Sequence, residues 1–430
     1  MTTLPRTRTA AAVLTCAAAL VLTACGSSGS SESSTSATAA ATTSAAVSSA
    51  TSAASTEGSA TGSSATSSSG GDGAAQVVTV TITDADGCVA DPDTVAAGPV
   101  TFNINNVDAL GVTEMELVAE QRILGERENL TPGFDSTFSV RIDGGSYEIF
   151  CPGAATERTP FTVTGQAAEV TGDLADLLQQ AAVEYAGYVD DQVEFLITPV
   201  KELQKAIADG DLEAAQQAYA KARPFYERIE PVAESFPDLD PAIDLRIGDV
   251  EEGTEWTGFH PIEQALFEKK TTDGLNDLAD KLVADIEELQ KLTGELSAAT
   301  IADNGKGYQP FEIANGASGL LDEVLQSKIT GEEEAYSKID LLDFEANVEG
   351  SLQAFATLEP ALDQIDPTLV PTISTKFDDL IAVLDDYRDD SALGGWTPYT
   401  DLTAADKKKL TDALLAVQEP LSQIAAKITQ

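Results

Sequence analysis

The chain of 430 residues has a single histidine, His260. It also has only 25 basic residues against 71 acidic ones, two methionines and four cysteines. Each scarcity excludes something. A zincin peptidase needs two histidines one helical turn apart with a glutamate base, and a blue-copper site needs two imidazoles beside a thiolate. One imidazole cannot supply either. A formal net charge of −46 argues against nucleic acid or anionic lipid headgroups as binding partners. It suits solubility and the collection of cations, although a solvated acidic surface explains most of it. No apolar run is long enough to cross a bilayer as a mature helix. The longest, Ala10 to Ala24, follows Arg6 and Arg8 as in an export signal.

That run closes with Leu22-Thr23-Ala24-Cys25-Gly26, which has the form of a bacterial lipobox. Cleavage would remove residues 1–24 as a lipoprotein signal peptide and leave Cys25 as the lipidated first residue. Residues 25–75 are then almost wholly Ser, Ala, Thr and Gly. They lack aromatic side chains to bury and read as a flexible tether. At about 5–6 Å × √n, such a tether reaches roughly 40 Å from a membrane surface.

From 76 to 165 the apolar pattern has period two. Val78, Val80 and Ile82 alternate with Thr79, Thr81 and Thr83, and Phe138, Val140 and Ile142 repeat the rhythm. Glycine and proline turns such as Thr131-Pro132-Gly133 separate the runs, so this region reads as a small all-β sandwich. Cys88 and Cys151 both fall in it. Outside the cytoplasm a lone pair in one domain is most often a disulfide. The alternative is a metal site drawn from Cys88, Cys151, Glu114, Met115 and Glu116, with strand alternation placing Glu114 and Glu116 on one face.

From 166 to 430 the period becomes 3.6, as in Leu174, Leu177, Leu178, Ala181, Ala182 and Tyr185, or Phe377, Leu380, Ile381 and Leu384. This is an all-α helical bundle. Acids recur in it at helical spacing: Glu227 and Glu230 stand three apart, and so do His260 and Glu263. A histidine and a glutamate one turn apart can converge on one cation, with acids of facing helices completing the shell. Pro261 reads as the first residue of that helix. The Glu332-Glu333-Glu334 run reads as a solvated face.

Several motifs stand in one order: Glu126-Arg127-Glu128-Asn129, Pro132-Gly133-Phe134, and Tyr226-Glu227-Arg228-Ile229-Glu230-Pro231. Thr257-Gly258-Phe259-His260, Glu263, Gly331-Glu332-Glu333 and Phe344-Glu345-Ala346-Asn347-Val348-Glu349-Gly350-Ser351 follow. Together they resemble the EfeO-type iron-uptake proteins, from about residue 76 to the C-terminus. The resemblance implies a cupredoxin-like β-domain and an imelysin-like helical domain bearing HxxE. It implies metal ligands at His260, Glu263, Glu227, Glu230, Asp244 and Glu323, and a second metal site at Cys88, Glu114 and Cys151. It also implies an exported component that hands ferrous or ferric iron to a membrane permease, alongside a haem peroxidase-like partner. Copper is the candidate for the β-domain, and zinc a surrogate for iron. The alternatives are a copper-assisted ferroxidase and an HxxE metallopeptidase, for which the chain shows no clear base and electrophile pair.

Overall fold

The computed structural model describes residues 75–430, apart from 120–121, 234, 251–252 and 304. The expected signal peptide, the expected lipidation site at Cys25 and nearly all of the expected tether lie outside the described residues.

Nine strands carry the period-two segment. They are β1 (Gln76–Thr83), β2 (Gly87–Asp91), β3 (Thr94–Ala96), β4 (Gly98–Asn106), β5 (Met115–Ala119), β6 (Arg122–Arg127), β7 (Asp135–Ile142), β8 (Gly145–Phe150) and β9 (Arg158–Thr164). One sheet runs β2-β1-β4-β7 and the other β3-β9-β8-β5-β6. In β1 the alternating residues Val78, Val80 and Ile82 are buried, and β4 does the same with Val100, Phe102 and Ile104. Facing side chains of the two sheets share one core, in which the Phe102 ring lies 5.4 Å from that of Phe161. The layering is therefore a sandwich. Cys88 and Cys151 are joined as a disulfide across it.

The helical part consists of α1 (Asp173–Asp209), α2 (Leu212–Glu227), α3 (Glu230–Ala233), α4 (Asp240–Asp244), α5 (Phe259–Glu263), α6 (Asn276–Ile301), α7 (Pro310–Gln326), α8 (Asp340–Ile365), α9 (Leu369–Asp385), α10 (Ala404–Leu421) and α11 (Ile424–Ile428). The long α1 packs along α6 and α2, and a single apolar core joins the helices. Its contributors are the stripe positions, including Leu178, Ala181, Ala182, Tyr185, Phe377, Leu380 and Leu384.

Sandwich and helices are tied together through α7. Phe311 of that helix is buried in the β core. Asn315 donates from Nδ2 to the Ser139 carbonyl at 2.8 Å, and Arg122 of β6 pairs with Glu312 at 3.0 Å. This fixes the face of β5 and β6 against the helical site.

Candidate metal centre

The lone histidine is set in place by the residues before it. Trp256 donates from Nε1 to the Leu245 carbonyl at 2.7 Å, and the Thr257 hydroxyl donates to the Ala242 carbonyl at 2.9 Å. These bonds dock the segment on the end of α4. Gly258 turns there with φ 87°, and a Cβ on it would lie 2.0 Å from the Ile243 carbonyl oxygen. No other residue fits that approach. The helix starts at Phe259, so Pro261 is its third residue rather than its first. It still costs nothing, because the first four N–H groups of a helix have no intrahelical acceptor.

His260 is thereby carried to the helical site with 2 % exposure. Its Nε2 lies 3.4 Å from Asp244 Oδ1 and 3.6 Å from Glu333 Oε1, yet has no hydrogen-bond partner. Ligand atoms of Asp244, His260 and Glu333 lie within 4.8 Å of one another. Two further groups meet the same limit: Glu227 with Glu333 and Asp343, all buried, and Glu227 with Glu230 and the partly buried Asp244. Glu263 stands on the opposite edge of the imidazole, with Oε2 3.5 Å from Nδ1. Its Oε1 accepts from the backbone N–H groups of Tyr336 and Ser337, at 2.8 and 2.7 Å. Glu263 thus orients the ring and pins the loop that follows Glu333 and Glu334.

The expected Glu227 and Glu230 pair does not sit on one continuous helix. α2 ends at Glu227 and α3 begins at Glu230. The bend fits because Gly350 of α8 and Gly316 of α7 face it. A Cβ on either would lie 2.4 Å or 2.5 Å from the Arg228 and Pro231 carbonyl oxygens. Both carboxylates nevertheless converge, on Lys328 and Asn347. Glu323 reaches Arg246 Nη1 at 2.9 Å, leaving its other oxygen buried and unbonded.

So many buried acids require counter-charge. Arg223, fully buried, pairs with Glu227, Asp244, Glu333, Glu334 and Asp343. Burial works against ionised Asp244 and Glu333. Arg223 most strongly in the first, and Lys328, His260 and Arg246 in the second, hold them below the ordinary carboxylate range. Burial keeps Glu230, Glu334 and Asp343 well above it. For His260 burial opposes the charged form, but Asp244, Glu263 and Glu333 raise it well above its usual value. A metal taking Nε2 would therefore release a proton.

Asp244 and Glu333 also line a cavity of about 680 Å³, whose other wall is the β-sandwich face with Glu114, Glu116, Glu126 and Glu128. The β5–β6 register sets Glu116 directly opposite Glu126. Like charges so placed repel. Burial, then Glu114, pushes the Glu116 carboxyl up to about 8, and burial, then Glu323, does the same for Glu128. The second metal site expected at Cys88, Glu114 and Cys151 is a correction. The two sulfurs are bonded to each other, so neither is a thiolate ligand, and Glu114 belongs instead to the acidic cavity wall.

The family model for imelysin, the M75 peptidase family, matches residues 181–424. The "Iron uptake system component EfeO" of Escherichia coli O157:H7 is 36% identical over 352 residues, covering 81% of this chain and 90% of that protein. The protein of the same description from Yersinia pestis is 37% identical over 355 residues, with the same coverage. The chain belongs to the imelysin family, in its EfeO-type branch. An imelysin-like protein from Psychrobacter arcticum 273-4 is similar at 14% identity and TM-score 0.42, over 59% of this chain and 95% of that one. That likeness is too loose to transfer any residue.

Within this EfeO-type imelysin domain, sequence reasoning missed Glu333, Arg223, Lys328 and Asp343. The solvated reading of the Glu332 run holds for Glu332 alone, since Glu333 and Glu334 are 2 % and 0 % exposed. Arg223 had a legible signal. It stands four after Tyr219 and four before Glu227, on the buried stripe of α2.

Proposed function

We propose that this chain is an exported, lipid-anchored carrier that captures iron in the helical domain and delivers it to a membrane permease. The observation that carries the reading is the buried His260 Nε2, which faces the Asp244 and Glu333 carboxylates at 3.4 and 3.6 Å without a hydrogen bond to either. One imidazole with hard carboxylates suits iron in either oxidation state, with zinc as a surrogate. On this reading His260, Asp244 and Glu333 hold the cargo first. Glu227, Glu230 and Glu323 lie behind them, and Glu263 keeps the ring turned. The cupredoxin-like assignment of the β-domain, the lipid anchor at Cys25 and the haem peroxidase-like partner belong to the same proposal. The relatives' description as iron-uptake components supports it. In this form the β-domain contributes carboxylates facing the cavity, and copper loses its cysteine ligands.

The test is titration of the full chain with ferrous and ferric iron, cupric and zinc ions, beside His260→Ala and Glu333→Gln. Loss of a ligand of this kind should weaken iron binding by roughly 10- to 100-fold, by analogy with the cost of removing partners around a metal. Equal affinity in all three proteins would return His260 to a structural role and leave the acidic surface as the collector.

A further inference from the structure

Three of the carboxylates expected to bind metal already surround a lysine. Lys328 is buried, and its Nζ lies 2.6 and 2.7 Å from the two oxygens of Glu230 and 3.0 Å from Glu227 Oε2. Glu333 Oε2 and Glu323 Oε2 follow at 3.7 and 3.8 Å. Four carboxylates around one ammonium form the kind of oxygen shell that a hard cation also selects. The nest does not depend on the lysine alone. Asn347 Nδ2 donates to Glu227 Oε2 and Glu230 Oε2, at 2.8 Å each, and Arg223 grips Glu227 from the other side.

The lysine has somewhere else to go. Glu323 Oε2 is buried, lacks any hydrogen-bond partner and is 3.8 Å from Nζ. Lys328 opens a single 3-10 turn, Lys328–Thr330, which ends at Gly331 with φ 91°. The turn is the link between the end of α7 and the loop that carries Glu333 and Glu334. An ammonium and a multivalent ion cannot share the Glu227–Glu230 nest, because they would repel strongly at contact in so buried a site.

We propose that Lys328 is a tethered stand-in cation that fills the Glu227–Glu230 nest until an arriving metal ion displaces it. The inference rests on the capture reading above. Binding is then an exchange of one cation for another. The ion enters at His260, Asp244 and Glu333, and the lysine keeps its proton and passes to Glu323. Its return to the nest opposes tight retention, a property a carrier needs in order to release cargo.

The test measures affinity for ferrous ion, added alone under argon, in the full chain and in Lys328→Met and Lys328→Arg. Removing the competing charge should tighten binding roughly tenfold or more in Lys328→Met, with Lys328→Arg staying near the wild type. A folded Lys328→Met of unchanged or weaker affinity overturns the proposal. Should that variant fail to fold, the wild type decides. With ¹⁵N-labelled lysine and diamagnetic Zn²⁺ as probe, the Lys328 ammonium resonance should shift on loading as its partners change from Glu227 and Glu230 to Glu323. A resonance that stays in place with the ion bound refutes displacement. If wild type and His260→Ala bind ferrous ion equally, the capture reading itself fails and takes this inference with it. If only the Lys328 measurements stay still, the stand-in role alone falls.

Discussion

Arg223→Met removes the main counter-charge of the helical site while keeping most of the side-chain volume. The arginine is 0 % exposed and pairs with five carboxylates, of which Asp244 and Glu333 are held ionised. Breaking a buried pair by deleting one partner costs about 3–5 kcal/mol, because the remaining charge is left in a poorly solvating place. Five partners push toward the upper end. Protonation pulls back, since Glu334 and Asp343 already favour their neutral forms. At about 2–4 °C per kcal/mol for a helical part of this size, the melting temperature at pH 8 should fall by roughly 6–20 °C. The sign of the pH dependence follows from linkage. In the wild type, Asp244 and Glu333 have depressed values, so their contribution is present above the ordinary carboxylate range and lost as pH falls. In the variant Asp244 loses its main partner and rises, while Glu333 keeps Lys328, His260 and Arg246, so the variant's folded state weakens as pH increases through the raised Asp244 value. The two melting temperatures should therefore converge between pH 8 and pH 5. Calorimetry across that range checks it. A difference under about 2 °C at pH 8, or a gap that does not narrow on acidification, would refute the charge argument.

Two further outcomes are expected in the β-domain. Glu116 is buried, opposite Glu126, with its carboxyl pushed up to about 8, so the folded state holds a proton that the unfolded chain releases at its ordinary value of 4.5. Stability is thus lost as pH rises through that window, and Glu116→Gln should flatten the loss in urea titrations. An equal slope in both proteins would mean that Glu116 ionises freely. The Cys88–Cys151 bond spans 63 positions, for which the chain-entropy account gives about 4 kcal/mol. Replacing both cysteines by serine should cost the sandwich about 2–5 kcal/mol and leave iron binding by the helical domain unchanged. Alkylation of either cysteine without reductant, detected by peptide mapping, would reopen a thiolate site.

What the sequence makes legible here is whatever repeats. Val78, Val80 and Ile82 announce a strand, and Leu178, Ala181, Ala182 and Tyr185 a buried helix face, because burial imposes its period on the chain. Gly258-Phe259-His260 and Glu263 stand out because a lone imidazole near a turn glycine is rare in so acidic a chain. The rest of the site has no period. Glu333 sits in a loop between Gly331 and Asp340, and its burial is decided by Arg223, Arg246, Lys328 and His260, which arrive from four other places in the chain. Read locally, three consecutive glutamates belong in water. The reversal is a matter of electrostatics. Once Tyr219, Arg223 and Tyr226 follow the buried stripe of α2, the guanidinium is inside and must recruit acids, wherever they lie. A basic residue on an apolar stripe is therefore the better predictor of a buried carboxylate site than the carboxylates are. In a chain with 71 acids and 25 bases, a buried base narrows the search where another acid cannot. By the same reasoning, Lys328 marks the nest that Glu227 and Glu230 form across the break between α2 and α3.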